Sequence, residues 1–208
     1  MSIGMQTIAA IRYGYGFRPG EAPPGGAKAL LAGLEGPDAG AAPEVPETVE
    51  VLAGVRMRRE ARRAEKRQER EAEEMTRAAR QMVRAISGPL MLRRIAAPVL
   101  SPQGFRERLV TFWADHFTVA AKGPQLKVLA PHHVEAAIRP HVAGRFRDLL
   151  AAAELHPAML VYLNQTESIG PSSRAARGGE KGLNENLARE ILELHTLGVD
   201  ASYDQDDV

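Results

Sequence analysis

The stretch LNENLAREILELHTLG, residues 183–198, contains side chains whose types suit catalysis or metal binding. Glu190, Glu193 and His195 lie within six positions, and carboxylates with imidazole are common acid–base groups and metal ligands. A site on one helix needs its ligands three or four residues apart on one face. At ~100° per residue, His195 points roughly 140–160° away from both glutamates. One helix therefore cannot close a single site around all three side chains.

The opposite face of the same predicted helix is polar. Arg189 and Glu193 are spaced i,i+4, so they can form an ion pair on the helix surface. Asn186 and Glu190 share a face and, together with Glu193, could line a polar cleft. We favour a solvated or structural role for these side chains over a binding cleft.

Two predicted helices each direct a histidine into apolar surroundings. His195 falls near the middle of the apolar face of its helix. The segment SPQGFRERLVTFWADHF, residues 101–117, predicts a helix with Ser101 as N-cap. His116 and Phe112 lie on its aromatic face centred on Leu109, which we expect to be buried. A buried imidazole favours the neutral form and needs a hydrogen-bond partner. A hydrogen-bonded core histidine is the favoured interpretation, and a shared metal, haem or catalytic site built from His116 and His195 is the alternative.

The remaining histidines and the absent motifs narrow the chemistry. The four other histidines adjoin prolines or each other at expected helix junctions and are interpreted as loop or cap residues: His132, His133, His141 and His156. The chain has no cysteine, which excludes disulfides and thiolate metal sites. It also lacks the phosphate-loop, dinucleotide, nucleophile-elbow and HExxH patterns.

Composition and charge are ordinary for a globular protein. Lys plus Arg number 27 and Asp plus Glu number 26, so net charge does not favour nucleic acid as a partner. No apolar run approaches the ~18 residues of a spanning helix, and no secretory signal core is recognisable. We therefore expect no transmembrane segment and, by default, a cytoplasmic protein.

Changes in composition divide the chain into three segments. Residues 1–47 are rich in Pro, Gly and Ala and predict a mostly irregular segment with a short helix near residues 27–34. Residues 48–86 predict a long charged helix, either a single rod or a coiled-coil-like hairpin, whose 56–86 part could dock a protein partner. Residues 87–208 predict a compact helical region.

The whole pattern predicts an all-α fold, an irregular multi-helix domain. No segment alternates β-branched or aromatic residues over five or more positions, as a strand would. The final residues, SYDQDDV, have the pattern of a helix start. We therefore expect the chain to be the N-terminal part of a longer protein.

Two motifs resemble a bacterial family known as domain of unknown function 1800. Its members carry W-x-(D/N)-H-F, found here at residues 113–117, and N-E-N-x-A-R-E followed by E-L-H-T-L-G, found at residues 184–198. A Y-x-x-x-D-V pattern follows at residues 203–208. The resemblance implies a mainly helical protein and supplies neither an activity nor a cofactor. It strengthens the following residues as site candidates: Asp115, His116, Asn184, Asn186, Arg189, Glu190, Glu193 and His195.

Two hypotheses about function follow. In the first, this region is structural, an assembly or scaffold domain in which the motifs hold helices together. In the second, the motifs form a pocket that binds a metal or cofactor and can catalyse hydrolysis. His116 or His195 would then act as ligand or base, Glu190 and Glu193 as carboxylates, and Arg189 as anion partner. The sequence favours the structural role.

Overall fold

Helices make up the regular secondary structure of the described part of the chain. The structure, a computed structural model, describes residues 4–17, 19–20, 22, 25–40, 44–170, 172–174, 176 and 182–208. The predicted all-α class is confirmed, since no strand occurs among these residues. The α-helices are α1 Met5–Arg12, α2 Ala27–Glu35, α3 Thr48–Lys66, α4 Ala72–Leu100, α5 Gly104–His116, α6 Gly123–His133, α7 Phe146–Glu154, α8 Pro157–Tyr162 and α9 Asn186–Glu190.

The charged segment forms a helical hairpin of α3 and α4. The chain reverses at residues 67–71, where Gln68 adopts a positive φ of 55°. Small residues line the contact, because Ala61 and Ala64 of α3 and Ala79 of α4 are buried. A Cβ at Gly54 would lie 3.1 Å from the Ile86 side chain. The two helices therefore approach closely, leaving their long charged side chains at the surface.

Helix α4 continues well beyond the change in composition at residues 87–89. It contains Pro89 and Pro98 and ends at Leu100. Ser101 then caps the C-terminus of α4 through its N–H, which donates to the carbonyl of Ala97. Consequently Ser101 does not begin α5, and the predicted N-cap at this residue was wrong.

Helix α6 lies at the centre of the fold. It continues through a π-helical turn, Val134–Ile138, and a 3₁₀ turn, Arg139–His141. Leu126 and Leu129 pack with α3, α4 and α8 in one core cluster, and Ile138 packs with α5, α7 and α8 in another. One nearly continuous helix thus joins the hairpin to the region that carries the family motifs.

The N-terminal segment contains two short helices. The short helix predicted near residues 27–34 is confirmed as α2, and α1 was not predicted. Arg106 of α5 is buried and donates to the carbonyls of Leu34 and Gly36, so the end of α2 is attached to α5.

The motif helix is α-helical only at its start. After Glu190 it widens into a π-helical segment, Ile191–Thr196. The Leu197 N–H bonds to the Leu192 carbonyl, and the Thr196 hydroxyl bonds to the Ile191 carbonyl at 2.6 Å. A wider turn changes the angle between successive side chains. The helical wheel at 100° per residue is therefore inaccurate for His195 and its neighbours.

None of the described helices combines the length and the apolar character needed to cross a bilayer.

Candidate functional site

His195 is the only buried residue of the π-helical segment, with 8% of its surface exposed. Its Nδ1 lies 2.7 Å from Oε1 of Glu154, although the two groups are not aligned as a good hydrogen bond. Glu154 is the last residue of α7 and is 3% exposed. The buried carboxylate that contacts His195 therefore belongs to α7 and not to the helix that carries Glu190 and Glu193.

Few described groups offset the cost of burying the Glu154 carboxylate. Neither of its oxygens meets hydrogen-bond geometry with a described group, and both are inaccessible to solvent. A buried carboxylate without full hydrogen bonding is costly, because its charge has lost the solvation of water. The close approach of the His195 imidazole offsets part of this cost.

His116 joins the same group through the backbone of His195. It is half-buried at the end of α5, and its Nε2 lies 3.2 Å from the His195 carbonyl oxygen. Since a carbonyl only accepts, Nε2 carries the hydrogen and is not free to bind a metal. The ring centroids of the two histidines are 5.7 Å apart, and Phe117 packs edge-on against both. We call Glu154, His195 and His116 the histidine–glutamate cluster.

The described residues do not bring a full set of metal ligands together at this cluster. Within the described ranges there is no group of three or more His, Cys, Asp or Glu side chains arranged to hold one. One nitrogen of His116 is already committed to a backbone carbonyl, and one nitrogen of His195 faces the Glu154 carboxylate. The arrangement joins helix ends through the hydrogen bond of His116 to the His195 backbone and through the close approach of His195 to Glu154.

The charged residues of the motif pair with one another at the surface. Arg189 lies 3.1 Å from the Glu185 carboxylate and 3.8 Å from that of Glu193. Gln205 bonds to both Glu185 and Arg189, at 2.8 and 3.2 Å. The side chain of Glu190 makes no hydrogen bond or ion pair with a described residue. The structure therefore joins Arg189 to its neighbours and places no ion pair between Glu190 or Glu193 and either histidine.

The predicted polar residues Asp115, Asn184 and Asn186 do not form one hydrogen-bonded group. The Asn184 amide donates to the carbonyl of Asn164 at 3.1 Å, and its Oδ1 accepts from the N–H of Asn186. The Asn184 N–H donates to the Ser168 hydroxyl. Asn184 thus fastens the start of α9 to the loop after α8, whereas Asp115 and the Asn186 side chain are exposed.

The aromatic face predicted for α5 is rotated from the face that is buried. Phe112 is 58% exposed, while Arg106, Glu107, Val110 and Ala114 are buried. Charged residues occupy the inner face because they meet buried partners, a possibility that an apolar helical wheel does not represent. The predicted burial of Phe112 was wrong for this reason.

Sequence reasoning missed a buried ion-pair network around Arg139. Its guanidinium bonds both oxygens of Glu107, at 2.8 and 2.9 Å, and its Nε lies 3.1 Å from Glu135. Glu135 also binds Arg93 at 2.7 Å, and Asp38 lies 3.3 Å from Arg139. The i,i+4 spacing of Glu135 and Arg139 was the available signal. We call this set the arginine network.

The arginine network keeps its central residue, Arg139, in the charged form. Burial opposes the charged form of Arg139, but hydrogen bonding to Glu107 and the charges of Glu135, Glu107 and Asp38 together raise its pKa. Gly40 allows the N-terminal segment to pass over this network, since a Cβ there would lie 2.1 Å from Oε1 of Glu107. The network thus connects α5, α4 and the turn after α6 beneath that segment.

A second histidine group connects α6 to α8. The Ala158 N–H donates to His156 Nδ1 at 3.0 Å, so His156 carries its hydrogen on Nε2. That nitrogen donates to His132 Nδ1 at 2.9 Å, and His132 Nε2 donates to the Pro46 carbonyl at 2.8 Å. Each contact is made by a neutral ring. His156 caps α8, as predicted.

Burial keeps these histidines neutral. It lowers the pKa of His156 to about 3, with the neighbouring histidines contributing. It lowers the pKa of His133 to about 4, although the bond of His133 to the Ala153 carbonyl opposes this, and it also lowers the pKa of His132. His132 and His133 lie at the end of α6 rather than at a helix start, because Pro131 is accommodated inside that helix.

The fold and the cluster together define an all-α protein whose polar motif residues hold helix ends to one another. The family model described as "Protein of unknown function (DUF1800)" matches residues 8–208. The chain therefore belongs to this family, as its motifs indicated. Neither a curated protein nor a solved structure gives a significant match to the chain.

Proposed function

We propose that this region is a structural, non-catalytic scaffold in which the family motifs lock helices together and the α3–α4 hairpin docks a protein partner. The observation that carries the proposal is the bond between His116 Nε2 and the His195 carbonyl. The bond ties the end of α5 to the motif helix and commits the Nε2 hydrogen of His116 to the protein backbone.

The other motif side chains support the same proposal. The Asn184 side chain bonds to nearby backbone groups, and the Arg189 side chain bonds to Glu185 and Gln205. Five grooves in the described part of the chain have linings that include neither His116 nor His195. A network that satisfies its own polar groups fixes the positions of helices.

A hydrolytic function is the second candidate, and the Glu154–His195 contact favours it. A buried carboxylate at Nδ1 holds an imidazole in the orientation that a general base requires. Both oxygens of Glu154 lack a hydrogen bond of good geometry, so the carboxylate is poised to stabilise an imidazolium if one formed. Metal-assisted hydrolysis would need additional ligands beside His116 and His195.

The first experiment separates these two functions. The purified protein and its His116→Ala, His195→Ala double variant are analysed for metal content, absorption spectrum, hydrolysis of activated esters and thermal stability. The scaffold proposal expects no stoichiometric metal, no absorbing cofactor and no turnover in either protein, with a lower melting temperature in the variant. Turnover or a bound metal that the double variant loses would overturn it.

A cytoplasmic location is also our proposal. The absence of cysteine suits a reducing compartment, where disulfides do not contribute to stability. Fractionation of cells that produce the full-length protein tests it, and recovery from the periplasm or the medium would contradict it.

A further inference from the structure

A basic surface lies where the α3–α4 hairpin meets the start of α6. One groove of about 310 Å³ is bounded by Arg58 and Arg62 of α3, Arg80 of α4 and Lys127 of α6. Two further grooves, of about 330 and 550 Å³, share Arg62 and Pro124 with it. The three together form one continuous surface, which we call the basic groove.

The basic groove is strongly unbalanced in charge. Its lining contains one carboxylate, Glu65, which already accepts a bond from the Thr76 hydroxyl at 2.6 Å. Its cationic side chains are Arg58, Arg59, Arg62, Arg63, Lys66, Arg80, Lys122 and Lys127. On a chain of net charge +1, this concentration leaves the remaining surface net acidic.

The cations of the basic groove have no internal partners. None of them forms an ion pair or side-chain hydrogen bond with another residue in the described part of the chain. Elsewhere in the molecule, buried arginines such as Arg139 are paired with carboxylates. Like charges held together from three helices repel one another, and an anionic partner would remove that repulsion.

We propose that the basic groove binds an acidic segment of a partner protein. This inference rests on the proposed scaffold role and names the chemistry of its partner. Its lining includes small or aliphatic side chains, among them Ala61, Ala79 and Val55, which suit the contacts of a polypeptide. Tyr162 is the one aromatic residue in the lining, so the stacking platform typical of single-stranded nucleic acid is missing there.

The neighbouring surface also favours a short acidic segment over a long polyanion. The exposed tip of the hairpin is net acidic: Glu69 pairs with Arg67 at 2.7 Å, and Glu71, Glu73 and Glu74 outnumber the remaining cation, Arg70. A nucleic-acid strand or an anionic membrane that extended past the groove would meet these carboxylates and be repelled. A segment of partner protein can place its acidic side chains within the groove and end before the tip.

The test measures binding of a fluorescent peptide of alternating Glu and Ser, about 12 residues long so that it can span the grooves. The full chain is compared with the triple variant Arg62→Gln, Arg80→Gln, Lys127→Gln. These side chains are exposed, and the circular dichroism spectrum verifies the fold. We expect the variant to weaken binding by about tenfold or more and to reduce its salt dependence.

A matched control carries the same loss of positive charge elsewhere. Arg12→Gln, Arg145→Gln and Arg147→Gln change exposed residues outside the basic groove, and we expect less than about a twofold effect. Equal weakening in both triple variants, no binding of the Glu–Ser peptide, or tighter binding of single-stranded RNA or phosphatidylserine vesicles than of the peptide would each overturn the inference. Metal content and turnover, which test the scaffold role through the histidines, are unaffected by these variants, so the two failures are distinguishable.

Discussion

Glu107 and Glu154 are both buried glutamates on motif-region helices, but their surroundings differ. Glu107, 1% exposed, receives two hydrogen bonds from the Arg139 guanidinium. Glu154 faces one imidazole nitrogen, and neither of its oxygens has a well-directed hydrogen bond. The arginine network therefore stabilises a full negative charge, whereas the histidine–glutamate cluster holds one that is weakly compensated. The family motifs include His116 and His195 of the second region and no residue of the arginine network.

The largest expected effect comes from removing the central cation of the arginine network. Arg139→Met keeps an aliphatic side chain but leaves Glu107 and Glu135 buried without it, which we expect to cost about 3–5 kcal/mol of unfolding free energy. Urea unfolding measures the change. Arg189→Met, which removes a surface pair, serves as control and should cost less than about 1 kcal/mol. Similar losses in both variants would erase the distinction between buried and surface pairs.

Acid should instead destabilise the buried histidines at the end of α6 and the start of α8, which lie outside the histidine–glutamate cluster. His133 and His156 are neutral in the folded protein, with pKa values of about 4 and about 3, and the unfolded histidine pKa is about 6.5. Their contribution is therefore complete above about pH 6.5 and is lost as pH falls toward their folded values. Between about pH 7 and 5 we expect roughly 2 kcal/mol of lost stability per histidine, measured by urea unfolding at each pH.

The variant His156→Asn isolates one of these histidines. Asn can still accept the Ala158 N–H at the start of α8 and does not titrate. We expect the variant to be less stable at neutral pH but to show a shallower fall with acid, by about one proton in the pH slope. An unchanged slope would show that His156 does not contribute to the acid sensitivity.

A smaller effect tests how tightly the arginine network is enclosed. An added methyl group in Gly40→Ala would lie 2.1 Å from Oε1 of Glu107, so either the carboxylate or the segment must move. We expect a loss of about 1–3 kcal/mol by chemical unfolding. Gly33→Ala, where the new Cβ meets nothing within 4 Å inside α2, should instead be neutral or stabilising. Tolerance of Gly40→Ala equal to that of Gly33→Ala would mean that the segment is loosely held.

The smallest effect is expected at Glu154. In Glu154→Gln the lost attraction to His195 is offset by relief from burying an under-compensated charge, so stability should change by within about 1 kcal/mol. Glu190→Gln, at a motif carboxylate without a described partner, provides the matched control. A loss above about 3 kcal/mol for Glu154→Gln would show that its charge is as well compensated as that of Glu107.

Local patterns in the sequence predict several elements of the fold. The short helix α2, the helical character of residues 48–86 and the cap at His156 follow from propensity and from residues that adjoin proline or glycine. These features depend on neighbours within a few positions, which sequence reasoning can evaluate.

Other features depended on partners far along the chain. The wheel for α5 placed Phe112 inside because it assumed that the apolar residues face the core, whereas Glu107 is turned inward by Arg139. The π-helical turn after Glu190 displaced His195 from its ideal angle and brought it to Glu154. Neither the partner nor the turn has a signature in the local pattern.

By itself, the sequence determined the helical class, the family and the residues that can carry charge or a proton, because these follow from composition, spacing and motif. Only the tertiary structure decided which charges are buried and how each is compensated. Burial and pairing join residues that are tens of positions apart, such as Arg139 with Glu107 and His195 with Glu154. The energy of a charge is set by its surroundings in space, and no periodicity along one helix contains that information.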